Sequence, residues 1–237
     1  MAGAALSQSH AHSAPDAALN LYLRAVWSRL ATGAFVAAVC AWLVAMLPPL
    51  RASILIEYGA ASIGLTLVGV ALAASVSLIW VGARLFARGP NLLNPVWFWF
   101  FCATAGAAGN ALALLFLRES VVSMFALAAA GMAAVHIAHR FVRQLPSWAS
   151  AILFAATGSG GEWMADSLLH RAWPYIAIDL AALAVLALLI AARADAFPAI
   201  QQSLSRPSPK AGVTYAAMHL IALADAPSAK ITSEEEA

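Results

Sequence analysis

Residues 173–197 read WPYIAIDLAALAVLALLIAARADAF. From Trp173 to Ala192 the run is apolar on every side except at Asp179, and it has the roughly 20 residues a helix needs to cross hydrocarbon. A helix of a soluble protein would instead show one apolar stripe and one polar face. Arg193 and Asp195 close the run, at the depth where hydrocarbon gives way to headgroups. A carboxylate at that depth is costly and calls for a functional explanation. Asp195 belongs either to an ion pathway or to an interfacial cap.

The rest of the chain follows the same pattern. Of 237 residues, 63% are hydrophobic and 10% charged, whereas soluble domains carry about 25% charged residues. The composition therefore predicts an all-α, polytopic transmembrane bundle with lipid as its main partner. A net charge of +2 gives no basis for nucleic-acid binding. Residues 1–20 are polar and lack the apolar core of a signal peptide, so the first span is expected to act as its own insertion signal. Cys40 and Cys102 lie in apolar runs without metal-like spacing and read as small buried hydrophobes.

Seven helices are expected, over Leu30–Leu47, Ala60–Ala83, Pro95–Leu117, Val121–Ala138, Ser147–Leu169, Trp173–Ala192 and Ala211–Ala226. The seventh is short and interrupted by His219 and Asp225, which leaves a span, a re-entrant segment or an interfacial helix open. The polar tail 1–20, the bundle 21–227 and an acidic tail 228–237 complete the organisation, with no soluble domain. Arg24, Arg29, Arg84, Arg88, Arg140, Arg143, Arg193, Arg206 and Lys210 fall on one side of the predicted membrane. Only Arg51, Arg118 and Arg171 fall on the other, so the positive-inside rule puts the N-terminus in the cytoplasm. Gly64, Gly69, Gly106, Gly109 and Gly131 would let helices approach closely.

The polar residues within the spans are few. Gly158-Ser159-Gly160-Gly161 lacks the Lys-Ser/Thr of a phosphate loop and reads as a kink in the fifth helix. Glu162, Asp166 and His170 share one face if that helix continues, and Asp179 lies about one turn into the sixth. Together they are candidates for an outer cation vestibule, against the plainer reading of a helix leaving lipid. His136 and His139 could bind a metal or sense pH, but without a third ligand nearby a polar helix end is the simpler reading. No hydrolase triad, zinc-protease helix or haem-binding pair is present, so neither an enzyme nor a cofactor or metal is expected.

Four segments stand out: residues 16–27, DAALNLYLRAVW, followed by Ala31-Thr32-Gly33; residues 120–125, SVVSMF; residues 143–150, RQLPSWAS; and Ala191 to Asp195. In this order they resemble segments of the Bax inhibitor-1 (Lifeguard) family, which ends its sixth helix in an aspartate. The resemblance implies a seven-helix bundle in the bacterial inner membrane, with a central and partly polar last helix. It further implies a pH-dependent leak of calcium, or of protons, gated by aspartates of the sixth and seventh helices. Asp195 would be the first gate residue, with Arg193, Arg84 and Tyr215 beside the pathway. Two departures bear on that gate. Asp195-Ala196-Phe197 replaces the family's Asp-Thr-Gln, and Ala217 stands where the second aspartate belongs. The alternative expectation is a subunit that conducts nothing and binds another membrane complex, such as a protease.

Overall fold

The computed structural model describes residues 3–58, 62–86, 94–117, 121–142, 145–169, 173–203 and 209–221. Helix α1 (Gly3–Met46) is halted by Pro48-Pro49, and the same prolines open the short α2 (Pro48–Ile54), where a missing N–H costs nothing. A small antiparallel hairpin follows, β1 (Leu55–Tyr58) with β2 (Ser62–Leu65), pairing Leu55 with Leu65 and Glu57 with Ile63. Five long helices come next: α3 (Leu67–Phe86), α4 (Asn94–Phe116), α5 (Val122–Phe141), α6 (Ser147–Leu169) and α7 (Trp173–Arg193). The short α8 (Ala196–Ser203) and α9 (Pro209–Ile221) end the described chain.

This is an all-α helical membrane protein apart from the hairpin. Among the described residues four helical stretches are long and apolar enough to cross a bilayer: Ala18–Met46, Pro95–Phe116, Val122–Phe141 and Trp173–Arg193. Phe35, Trp42, Phe100, Ile152, Val185 and Leu188 point outward from these helices and α6, as lipid-facing residues do.

Three local expectations change. The polar stretch 1–20 is helical from Gly3 and continuous with α1; its many alanines favour that state. The second long helix starts at Leu67 rather than Ala60, because residues 62–65 pair with β1 and Thr66 then caps α3. The Thr66 hydroxyl donates to the Ser53 carbonyl at 2.6 Å, while the Gly69 N–H donates to it at 3.0 Å. Finally, α6 runs through Gly158–Gly161 as uninterrupted helix, with Leu183 packed where a side chain would stand on Gly158 and Leu127 where one would stand on Gly161.

Helix α1 packs along α4 and α5, α6 joins α5 to α7, and α3 lies against α4. Close approach of α1 and α4 depends on missing side chains. A Cβ on Gly106 would overlap the Ala37 backbone, and one on Gly33 would lie 2.6 Å from the Phe98 ring. Helix α9 touches α1, α4, α7 and α8, and every residue from Gly212 to Leu220 is buried. Tyr22, early in α1, donates its hydroxyl to the Gly212 carbonyl at 3.3 Å. Arg193, ending α7, donates to the His219 carbonyl at 3.3 Å, one of the carbonyls a helix leaves unmatched in its last turn. At 13 residues α9 is about 20 Å long, shorter than the roughly 30 Å hydrocarbon layer. The cluster at the far end of α1, formed by Val44, Ile54, Leu55 and Ala111, includes no α9 residue among those described.

Gly106→Ala is expected to cost about 1–3 kcal/mol through overpacking against the Ala37 backbone. Gly160→Ala, whose new Cβ meets nothing within 4 Å, should leave the melting temperature in detergent unchanged or raised. Equal melting temperatures for the two variants would refute this packing account.

Candidate functional site

Among the described residues, buried polar side chains lie on α4, α5, α6, α7 and α9, and the register of α5, α6 and α7 places theirs at two levels. Helices α5 and α6 run antiparallel, with Gly131 facing Phe154 and Gly161 facing Leu127. Between α6 and α7, Gly158 faces Leu183. Helices α5 and α7 are parallel: the Ser123 hydroxyl donates to Asp179 Oδ2 at 2.8 Å, a pair 56 residues apart in sequence. His139 and Asp195, also 56 apart, line one cavity at the other end. Sixteen residues separate the two levels on each helix, about 24 Å of rise.

At the Ser123 end, Asp179 is 2% exposed and Glu162 1%. Glu162 lies one turn beyond Gly158 and Asp179 one turn before Leu183, so the register brings both carboxylates to one level. Each is about 10 Å from its helix end along the axis. Asp166, one turn further out on α6, is half-buried. Of the residues expected at an outer vestibule, Glu162 and Asp179 are therefore enclosed carboxylates, Asp179 with a hydroxyl donor, and Asp166 lies between them and the helix end. His170 lies outside the described residues.

At the other end, Asp195 is exposed at the α7–α8 turn, and among the described residues it makes no hydrogen bond or ion pair. It opens onto a cavity of about 90 Å³ that His139, Ser147 and Ser150 also line, with Trp27 and Phe197 as apolar wall. Trp27 and Phe197 meet edge to face at 5.9 Å and hold α8 on α1. Ala217 is fully buried in the apolar core and does not line this cavity. Tyr215 is buried with it. Arg193 turns to the end of α9. Arg84 lies in α3, but its side chain is outside the described residues.

Between the two polar levels the three helices meet through Met132, Val135, Phe154, Leu183 and Ile190, all buried and apolar. The remaining buried polar side chains of α4 serve local structure. Asn110 Oδ1 accepts the Val121 N–H at 3.1 Å and ties down the start of α5. Thr104 bonds back to the Phe100 carbonyl of its own helix at 2.7 Å.

The sequence reading missed Ser123, Ser147 and Ser150, and it treated His139 as half of a polar helix end with His136. The structure separates that pair: His136 Nδ1 lies 2.8 Å from the Arg24 carbonyl, while His139 is buried on the cavity side. One signal was available. Ser123 and His139 are spaced as Asp179 and Asp195 are, sixteen apart, which parallel helices bring into register. Among the described residues no group of three His, Cys, Asp or Glu could hold a metal ion.

Compared with known protein families, curated proteins and solved structures, the chain matches none.

Ser123→Ala removes the hydroxyl donor from a buried carboxylate and is expected to cost about 1–3 kcal/mol. The melting temperature should fall in Ser123→Ala and largely recover in Ser123→Thr. No change in either variant would mean that the bond contributes nothing.

Proposed function

We propose that this chain is a Bax inhibitor-1-like protein of the bacterial inner membrane that lets cations, calcium or protons, leak in a pH-dependent way. Six helices cross, the N-terminus is cytoplasmic, and the short α9 stays in the cytoplasmic half of the bundle. The observation that carries this reading is the enclosure of Asp179 and Glu162 among apolar helices. Ionisable groups inside a membrane bundle face an ion or proton route far more often than they serve packing. The burial of α9, with Thr214, Tyr215 and His219 on it, supports the family resemblance, which implies a central last helix.

On this reading the route follows α5, α6 and α7. Cations would meet Asp179, Glu162 and Ser123 on the outer side and Asp195 on the cytoplasmic side, with Phe154 and Leu183 closing the middle. Calcium prefers six to eight oxygen ligands. Neither level offers that many from side chains, so discrimination among cations would be weak.

A second reading has one specific observation in its favour. Asp195 is exposed, and Ala217, buried among apolar residues, brings no carboxyl to the position of the second gate aspartate. A regulatory subunit that binds another membrane complex would need no such gate.

Calcium flux into liposomes containing the purified chain tests the two. Asp179→Asn should lower the flux several-fold, and Asp195→Asn should alter its dependence on pH between about 6 and 8. Absence of flux from the isolated chain, with a stoichiometric partner retained on purification from native membranes, would favour the subunit.

A further inference from the structure

The cavity behind Asp195 has features that an apolar packing defect lacks. Four polar side chains line it, one from α5, two from α6 and one from the α7–α8 turn. His139 and Ser150 are each 1% exposed. His139 Nδ1 is a buried nitrogen without a hydrogen-bond partner. Such atoms are rarely left unsatisfied; where protein does not supply the partner, water does. A water molecule needs about 10–15 Å³ by this measure, so about 90 Å³ holds several. Asp195 lines the same cavity and is exposed at the turn.

We propose that this cavity is a hydrated proton-binding site, in which His139 takes up a proton from cytoplasmic water by way of Asp195. The site would be the pH sensor of the leak, and in that role it rests on the reading above. With its own proton on Nε2, a neutral imidazole presents the Nδ1 lone pair as acceptor. The Asp195 carboxylate takes a proton from bulk water and passes it through a cavity water to Nδ1. The carboxylate is regenerated, an imidazolium forms, and the site gains one positive charge. Imidazole is the side chain whose ordinary titration falls within physiological pH.

The charged surroundings come from several elements. Helix α1 brings Arg24, α5 itself brings His136 and Arg140, and the end of α7 brings Arg193, whose guanidinium is engaged by the His219 carbonyl. Helix α6 contributes Ser147 and Ser150 and has no titratable side chain before Glu162. Asp195 is the negative group on the cavity wall. Protonated His139 and Asp195 therefore attract across the water, drawing the α7–α8 turn toward α5. Since α8 is fixed to α1 by Phe197 on Trp27, that pull would reach the contact between α1 and α8.

The test is a histidine titration by NMR of the full chain in nanodiscs with labelled imidazoles. The His139 signal, identified by its loss in His139→Gln, should shift as the pH is lowered from about 8 to about 4. In Asp195→Asn it should titrate about half a unit lower, because the facing negative charge is gone. A His139 signal that stays constant over this range, or an unmoved midpoint in Asp195→Asn, overturns the proposal. Should His139→Gln fail to fold, the Asp195→Asn arm still decides, since it alters an exposed residue and leaves every histidine in place. Flux separates this proposal from the one it rests on. Titration without flux upholds the proton site and overturns the leak, whereas pH-dependent flux that persists in His139→Gln upholds the leak and overturns the sensor role.

Discussion

Hydrocarbon supplies no hydrogen-bond partner, so every polar group within the bilayer must find one inside the protein. The whole molecule follows from that constraint. Its long segments are helices, which satisfy their own backbone. The side chains that could not be satisfied by lipid are turned inward: Asn110 holds the start of α5, Thr104 bonds to its own helix, and Arg193 covers the last turn of α9. Other large apolar residues, such as Phe35, Trp42 and Phe100, face outward, since lipid imposes no penalty on them.

Association of the helices then has to come from close contact rather than from avoiding water. Gly106 admits the Ala37 backbone, Gly131 admits Phe154 and Gly158 admits Leu183. The last two contacts also set the register of α5, α6 and α7, and the register places the polar groups. The same packing that closes the middle of the three-helix unit with Phe154 and Leu183 aligns Ser123 with Asp179 and His139 with Asp195.

Asp195 is the residue most changed in meaning by this arrangement. Its place at the end of an apolar run suggested an ion pathway or an interfacial cap, and the family resemblance implied a gate shared with the last helix. At the α7–α8 turn it faces a polar cavity instead, with α1, α5 and α6 as the other walls. The acids read as a vestibule moved the other way, because Glu162 and Asp179 are more enclosed than their positions near helix ends suggested.

The membrane class, the long helices and the polar positions within them were legible from the sequence, because apolar runs of bilayer length have few alternatives in water. Prolines and small residues likewise marked several boundaries and contacts. Other features required the tertiary structure. The hairpin in place of the first residues of α3 is a pairing between segments, and no single segment encodes it. The depth of α9 depends on the walls that α1, α4, α7 and α8 provide. The cavity joining His139 to Asp195 exists only because α5 and α7 run parallel with a fixed offset. A sequence records which side chains lie along each helix, while the neighbour each one meets is set by how closely the helices can approach.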